Sequence, residues 1–311
     1  MSDVKTVFMR PYTLKQLHTF LEVARQRSVS KAAQRLFVTQ PAVSMQIRQL
    51  EDAFGVPLIE PLGRNIQLTQ AGEAFLIHAQ AAMGQLKNLE AQMAEHVGLK
   101  QGHIDLAVVS TAKYFVPMLL VRFKQLYPGV EVQLRIDNRE NVLGLLARNE
   151  VDLVMMGRAP AHIDCVATAF ASNPLAILAA PGHTLVRRKS LPFQVLADHV
   201  FVVREEGSGT RAAMERLFAA NQTPLNKVME MPSNETIKQA VMAGMGLSFL
   251  SLRTVRHELA SGHIALVDIE GLPWLGHWYI THLNSKKLSP AARAFRDFLL
   301  EQGASLMDAW S

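Results

Sequence analysis

The stretch TQPAVSMQIRQLEDAFG, residues 39–55, limits the local fold more tightly than any other part of the sequence. At about 100° per residue, Val43, Ile47, Leu50 and Phe54 fall in one narrow stripe at spacings of four, three and four, which is the pattern of a helix with one buried face. The opposite side carries Pro41, Ser44, Met45 and Arg48, with Gln40 and Gln46 nearer its edges. A solvated face would more often carry Glu–Lys pairs. The question is what this short, polar, acid-poor surface meets.

Charge narrows the answer. Between Arg10 and Arg48 stand seven basic residues (Arg10, Lys15, Arg25, Arg27, Lys31, Arg35, Arg48) against one acid, Glu22. Residues 1–69 hold nine basic and five acidic groups, and the remaining 242 hold 23 and 22, so the net charge of +5 resides at one end. A localised positive patch is the electrostatic footprint expected for a polyanion such as DNA.

The 311 residues, 49% apolar and 19% charged, imply ordinary globular material in two or three domains. The start MSDVKTVFMRPYT has no apolar signal-peptide core, and no apolar run approaches the ~18 residues of a membrane span, so a cytoplasmic chain with no membrane partner is expected. Cys165 is the only cysteine, which excludes disulfides and Cys-based metal sites within one chain and reads as a small core residue. Eleven His residues show no metal-ligand spacing, and no nucleophile–base pair is indicated, so no catalytic or metal site is expected.

The first segment predicts three short helices. Thr13 and Gln16 form a capping box opening a helix through Arg27, with Leu14, Leu17, Phe20, Leu21 and Ala24 inward. Ser30 is placed to cap a second helix carrying Ala33 and Leu36, and Thr39 a third, with Pro41 in its first turn, where a missing N–H is harmless. The tight FVT link makes a helix-turn-helix, and VPLIEPLGRNIQLT then reads as a β-hairpin wing turning at Gly63. From Gln70 to about Val97 one long helix is expected, with Phe75, Ala79, Ala82, Leu86, Leu89 and Met93 in a heptad seam. That seam fits a dimerising linker helix better than a helix packed on its own domain.

Gly98 and Gly102 bracket a short hinge, after which strands and helices alternate. IDLAVVS, VEVQLRI and VDLVMMG are separated by helices around VPMLLVRFKQLY and ENVLGLLARN; LAILAA, HVFVVRE, KVMEM and GLSFLS interleave with TRAAMERLFAAN and ETIKQAVMAGM. This alternation argues for two α/β units with a cleft between them.

The run FLEVARQRSVSKAAQRLFVTQPAVSMQIRQLEDAFGVPLIEPLGRNIQLTQAG resembles the N-terminal region of LysR-type transcriptional regulators over its whole length. The rest of the chain is similar to that family's two-part effector-binding domain of periplasmic-binding-protein type. STAKYFVP, NRENVLGLL, DLVMMGRAP, REEGSGTR and SNETIKQAVMAGMGLSFLS resemble the Calvin-cycle, or RuBisCO-operon, regulator subgroup. The resemblance implies an α/β chain with a winged helix-turn-helix at 1–69, a dimerisation helix at 70–97 and an effector-binding domain at 98–311. Within the last, subdomain I covers about 103–170 and 271–311, and subdomain II about 171–270. It further implies a transcription activator that is a homotetramer, a dimer of dimers, with a double-stranded DNA operator and RNA polymerase as partners. Its effector would be a non-covalent phosphorylated metabolite or NADPH, with no bound cofactor. A regulator of another metabolic operon and a cytoplasmic solute-binding protein are the alternatives.

The resemblance answers the opening question, because in that family the third helix lies in the DNA major groove. Pro41 and Ser44 would allow close approach, while Gln40, Gln46 and Arg48 would donate to base edges or phosphates. Ser30, Lys31, Arg35, Thr39 and Met45 complete that face, with Thr39 a cap first and a phosphate contact second. The wing departs from the family pattern: Leu58 is followed by Ile59, Pro61 stands where an arginine is usual, and Arg64 is the better candidate for the minor groove.

Gly207, Ser208, Gly209 and Thr210 follow an expected strand and open an expected helix, either as a cradle of N–H donors for an anion or as a plain turn with Ser208 as cap. The run lacks the Gly-Lys-Ser/Thr ending of a nucleotide-hydrolysing loop. Ser110 and Thr111, with Lys113 beyond them, carry the same two readings. Arg158 and Asn234 are further candidates for the effector, since open α/β units bind ligands beyond the carboxyl ends of strands. Arg204 and Arg211 would both add charge, but the sequence gives the direction of neither.

Overall fold

The computed structural model describes residues 12–62, 65–95 and 101–309 and divides them into two compact units, one up to Glu90 and one from Ala91 onward. In the first unit, α1 (Leu14–Gln26) starts at the expected capping box, with Thr13 and Gln16 bonding each other's backbone. α2 (Val29–Arg35) is capped by Ser28, whose hydroxyl accepts from Lys31 N, and not by Ser30. Starting two residues earlier lets Val29 pack on the core. α3 (Gln40–Phe54) has Thr39 at its N-cap, but the Thr39 hydroxyl makes no capping bond. The usual partner is the N–H two or three residues on; Pro41 has none to give, which leaves only that of Ala42, and the hydroxyl does not take it.

The predicted stripe is buried: Val43, Ile47 and Leu50 are at most 2% exposed and pack with Phe20, Val23, Ala24, Ala32 and Ala33. Leu14 was expected inward and is instead 53% exposed, because α1 meets that core further along, where Val23 takes the buried position. β1 (Ile59–Leu62) and β2 (Asn65–Leu68) form the antiparallel wing. Its predicted turn at Gly63 and the DNA candidate Arg64 lie outside the described residues. α4 (Gln70–Glu95) is the long helix. Phe75 packs edge-on against Phe20 and Phe54, with ring centroids 5.0 and 4.9 Å apart, and Ala79 is buried. The first two seam positions are therefore filled within the chain. Leu86 is half-buried, Ala82 and Leu89 are exposed, and the side chain of Met93 lies outside the description.

The second unit contains the expected alternation. β3 (Gly102–Val109) runs parallel to β4 (Val130–Asp137) and β5 (Leu153–Met156), joined by a short 3-10 helix at Ser110–Tyr114, α5 (Val116–Leu126) and α6 (Arg139–Ala147). β6 (Cys165–Ala179) is one strand of 15 residues, whereas the sequence suggested only its second half, LAILAA. Then come β7 (Val200–Arg204), α7 (Gly209–Ala220), β8 (Asn226–Met231), α8 (Asn234–Met242), β9 (Ser248–Ser251), α9 (Arg256–Ala260) and β10 (Ala265–Leu266). β11 (Trp274–Leu283), which the sequence did not reveal, pairs antiparallel with β6 from Trp274–Leu175 to Leu283–Cys165. α10 (Pro290–Phe298), a π-helical turn at Leu299–Gly303 and α11 (Ala304–Ala309) follow.

Two apolar cores define two lobes. One holds Leu106, Phe115, Trp278, Ile280 and Phe295, and the other Ile177, Phe193, Phe201, Phe218 and Phe249. β6 contributes Phe170 to the first and Leu175 to the second, so the strand itself passes between lobes and the division falls inside it. Cys165 is half-buried against the β5 cluster, and burial, then the Asp164 charge, raise its thiol pKa.

Candidate nucleic-acid interface and ligand cleft

On α3 the predicted residues are left out of the core, as are Gln49 and Asp52. Gln40, Pro41, Ser44, Met45 and Arg48 are exposed, as are Lys31 and Arg35 on α2. Arg25 pairs with Glu22 at 2.8 Å and Arg27 with Glu73 at 3.5 Å, whereas Lys31, Arg35 and Arg48 have no carboxylate partner among the described residues. Two polar groups are held from behind. Gln46 is half-buried and accepts from Thr19 Oγ1 at 2.6 Å, and Gln40 accepts from Ser30 Oγ at 3.2 Å. Glu51, at the far end of α3, accepts from Leu58 N at 2.8 Å and Ile59 N at 3.2 Å and so fixes the wing to the helix. Phe37, in the turn between α2 and α3, is 94% exposed and adopts a left-handed φ of 55°.

In the second unit a cleft of about 310 Å³ opens beyond the carboxyl ends of β3, β5 and β7. Ser110, Thr111 and Arg158 line it from the first lobe, and Arg204, Ser208, Gly209 and Thr210 from the second. Lys113, Gly207 and Asn234 do not line it. Lys113 lies over the Tyr114 ring, Gly207 takes the left-handed turn at φ 81°, and buried Asn234 accepts from Arg204 Nη1. Ser208 occupies the N-cap of α7 without a side-chain capping bond, so the first-turn N–H groups have no side-chain acceptor of that kind and face a lined cavity.

The cleft's cations are of two kinds. Arg204 is 4% exposed and already satisfied: Nε and Nη2 hold Glu205, Nη1 holds Asn234 and Nη2 also reaches Ser110 Oγ. Arg211 turns elsewhere, to Glu215, Glu230 and the Arg204 carbonyl. Arg139, Arg158 and Arg216 all line the cleft, and none has a carboxylate partner among the described residues. Arg139 Nη1 donates to the Arg158 carbonyl at 2.8 Å. Burial, then the charges of Arg158 and Arg216, push the Arg139 guanidinium below its ordinary value; burial, then Arg158, does the same to Arg216. Mutually repelling cations in a cleft are relieved by an anion.

Sequence reasoning missed Arg139, Arg216, Asn173 and Trp274. Arg139 follows the Asn138 cap at the carboxyl end of β4, and the strand-end rule that selected Arg158 applies to it equally. Asn173 and Trp274 belong to the parts of β6 and β11 that were not read as strands. Among the described residues no three His, Cys, Asp or Glu side chains cluster as a metal site, and no helix is long and apolar enough to cross a membrane.

A winged helix-turn-helix with an unpaired cationic face, together with a two-lobed sensor cleft lined by unpaired cations, defines a ligand-responsive DNA-binding regulator. The family profile for bacterial regulatory helix-turn-helix proteins of the lysR family matches residues 14–73, and the LysR substrate binding domain profile matches 98–304. The chain is 44% identical to the HTH-type transcriptional activator CmpR of Synechocystis sp. over 94% of its length and 96% of that protein's. It is 43% identical to the RuBisCO operon transcriptional regulator of Allochromatium vinosum over 94% and 97%. The solved Synechocystis CcmR regulatory domain in complex with 2-PG is 40% identical, covers 65% of this chain and 97% of its own, and superposes with a TM-score of 0.62. The chain belongs to the LysR family.

Proposed function

We propose that this protein regulates carbon-fixation genes, binding operator DNA through α3 and the wing and responding to a small phosphorylated metabolite in the cleft. The observation that carries the reading is the set of three guanidinium groups, Arg139, Arg158 and Arg216, facing one cavity without carboxylate partners. A phosphate monoester supplies the missing charge, and the α7 N-terminus supplies N–H donors for its oxygens. The similarity to regulators of carbon fixation, and to a regulatory domain bound to 2-phosphoglycolate, supports that ligand class. The working form is a cytoplasmic homotetramer, a dimer of dimers, that activates transcription with RNA polymerase and catalyses no reaction. NADPH is the second ligand to test, because Trp274 offers its rings an aromatic wall at the cleft.

The ligand must favour one arrangement of the lobes, since equal affinity for two states shifts no population. The test is a thermal-shift screen of 2-phosphoglycolate, other sugar phosphates and NADPH, followed by operator footprinting with the ligands that stabilise. Arg158→Ala should weaken the ligand by roughly tenfold or more, as expected for one charge-assisted contact. Thr210→Val, which keeps shape and removes a hydroxyl, should weaken it less. Both should bind operator normally without ligand. Unchanged ligand dependence in both variants would overturn the cleft assignment.

A further inference from the structure

Beside the cleft, the two lobes are joined by side chains as well as by strands. Ala112 and Phe115 anchor the Ser110–Tyr114 helix in the core of the first lobe, while Ile237, Val241 and Val255 anchor α8 and the start of α9 in the second. Across this seam the Tyr114 hydroxyl donates to Glu235 Oε1 at 2.5 Å. One turn along α8, Lys238 Nζ lies 2.9 Å from the same Glu235 oxygen and 2.8 Å from Glu258 Oε1, and 5.0 Å from the centroid of the Tyr114 ring. One turn back on the first lobe, Ser110 Oγ accepts from Arg204 Nη2 at 3.2 Å. Two ties thus run side by side, Tyr114 to Glu235 and Ser110 to Arg204.

Their chemistry makes them releasable. Both buried cations are neutralised within the second lobe, Lys238 by Glu235 and Glu258, and Arg204 by Glu205. What the first lobe contributes is neutral in each case, a phenol and a serine hydroxyl. Parting these two ties therefore strands no buried charge; water takes the place of two hydroxyls, and the Glu235 side chain is already half exposed. Arg253, which holds Asp308 and the Met307 carbonyl of the first lobe, also bonds Ser172 on the connecting strand β6 and so belongs to the hinge rather than to this seam. A salt bridge across the seam would instead leave an unpaired ion and hold the lobes shut. Ser110 and Arg204 also line the cleft, so a ligand seated there touches one of the two ties directly.

We propose that Tyr114–Glu235 and Ser110–Arg204 form a releasable latch that holds the lobes in the closure the ligand recognises and so sets the ligand's working concentration. The latch is independent of what the ligand is; only its effect on sensitivity rests on the cleft being the ligand site.

The experiment uses the full chain and Tyr114→Phe, which keeps the ring over Lys238 and removes one hydroxyl. Amide exchange by mass spectrometry, without ligand, should rise together in 110–116 of one lobe and 234–238 of the other, while 104–108 and 248–251 stay as in the parent. Titration with 2-phosphoglycolate should then show the midpoint rising about two- to tenfold, the worth of one net hydrogen bond. Exchange that is unchanged, or that rises in only one lobe, overturns the latch, as does a changed exchange with an unmoved midpoint. If the parent itself does not bind 2-phosphoglycolate, the ligand reading fails, and the exchange measurement still decides the latch.

Discussion

Replacing Glu51 by Ala tests how the wing is held. Its carboxylate receives two backbone N–H groups, from Leu58 and Ile59. Leu58 is 1% exposed, so water cannot readily replace the lost acceptor there, and a stranded buried donor costs about 1–3 kcal/mol. Ile59 is half-buried, and its N–H is more easily resolvated. The expected loss is about 2 kcal/mol, which is roughly thirtyfold in local opening. Glu51→Gln keeps one carbonyl oxygen in place and should lose well under half of that. Amide exchange across residues 58–68 measures the opening, and operator affinity at fixed salt measures its consequence. Unchanged protection in Glu51→Ala would refute the anchoring role, and equal damage in Glu51→Gln would show that charge rather than acceptance matters.

Gly72→Ala should be at least as damaging, because a Cβ there would stand 2.0 Å from the Leu58 carbonyl oxygen and force the backbone apart; a lowered melting temperature and weakened operator binding are expected. Ser44→Glu and Arg48→Ala should leave folding intact and weaken operator binding, the arginine by ~1–3 kcal/mol if it reads a base edge, as gel shifts at fixed salt would report. Replacing both Leu86 and Leu89 by Lys should dissociate the oligomer while the second unit stays folded; an unchanged sedimentation coefficient would return α4 to packing within its own chain. Burial opposes ionisation of Glu235, but hydrogen bonds from Tyr114 and Lys238 prevail and lower its pKa. A depressed carboxylate stabilises the fold above its unfolded pKa and loses that contribution as pH falls through its folded one, so amide protection at 234–238 should hold at neutral pH and decline on acidification below the ordinary carboxylate range.

What the sequence made legible follows from periodicity. α3 was readable because its stripe and its polar face are both local patterns, and the residues the pattern set apart are exposed except the half-buried Gln46. Ser28 against Ser30 was not, since SVS offers two caps and the choice depends on where Val29 finds a core. Phe75 and Ala79 fit a heptad as well as an internal contact, and only the position of Phe20 and Phe54 shows the internal use. In the second unit the strand-end rule found Ser110, Arg158 and Thr210 but took Arg204 and passed over Arg139. Which guanidinium is already occupied depends on Glu205, Asn234 and Ser110, and Asn234 and Ser110 come from distant parts of the chain. Trp274 escaped because β11 alternates poorly, opening on two exposed residues and later burying Ile280, Thr281 and His282 in succession.

The passage of β6 from one lobe to the other, with β11 paired along it, has a mechanical consequence. Two loops between lobes would make a free hinge, but two neighbouring strands share a ladder from Trp274–Leu175 to Leu283–Cys165, interrupted only by an irregularity at Trp278/Tyr279. Such a ribbon resists splaying and yields to torsion, because twist is the soft deformation of a paired strand while separation breaks its bonds. The lobes therefore turn against a restoring torque about the ribbon axis. A ligand that favours one arrangement of the lobes would therefore register as a small elastic twist of this ribbon.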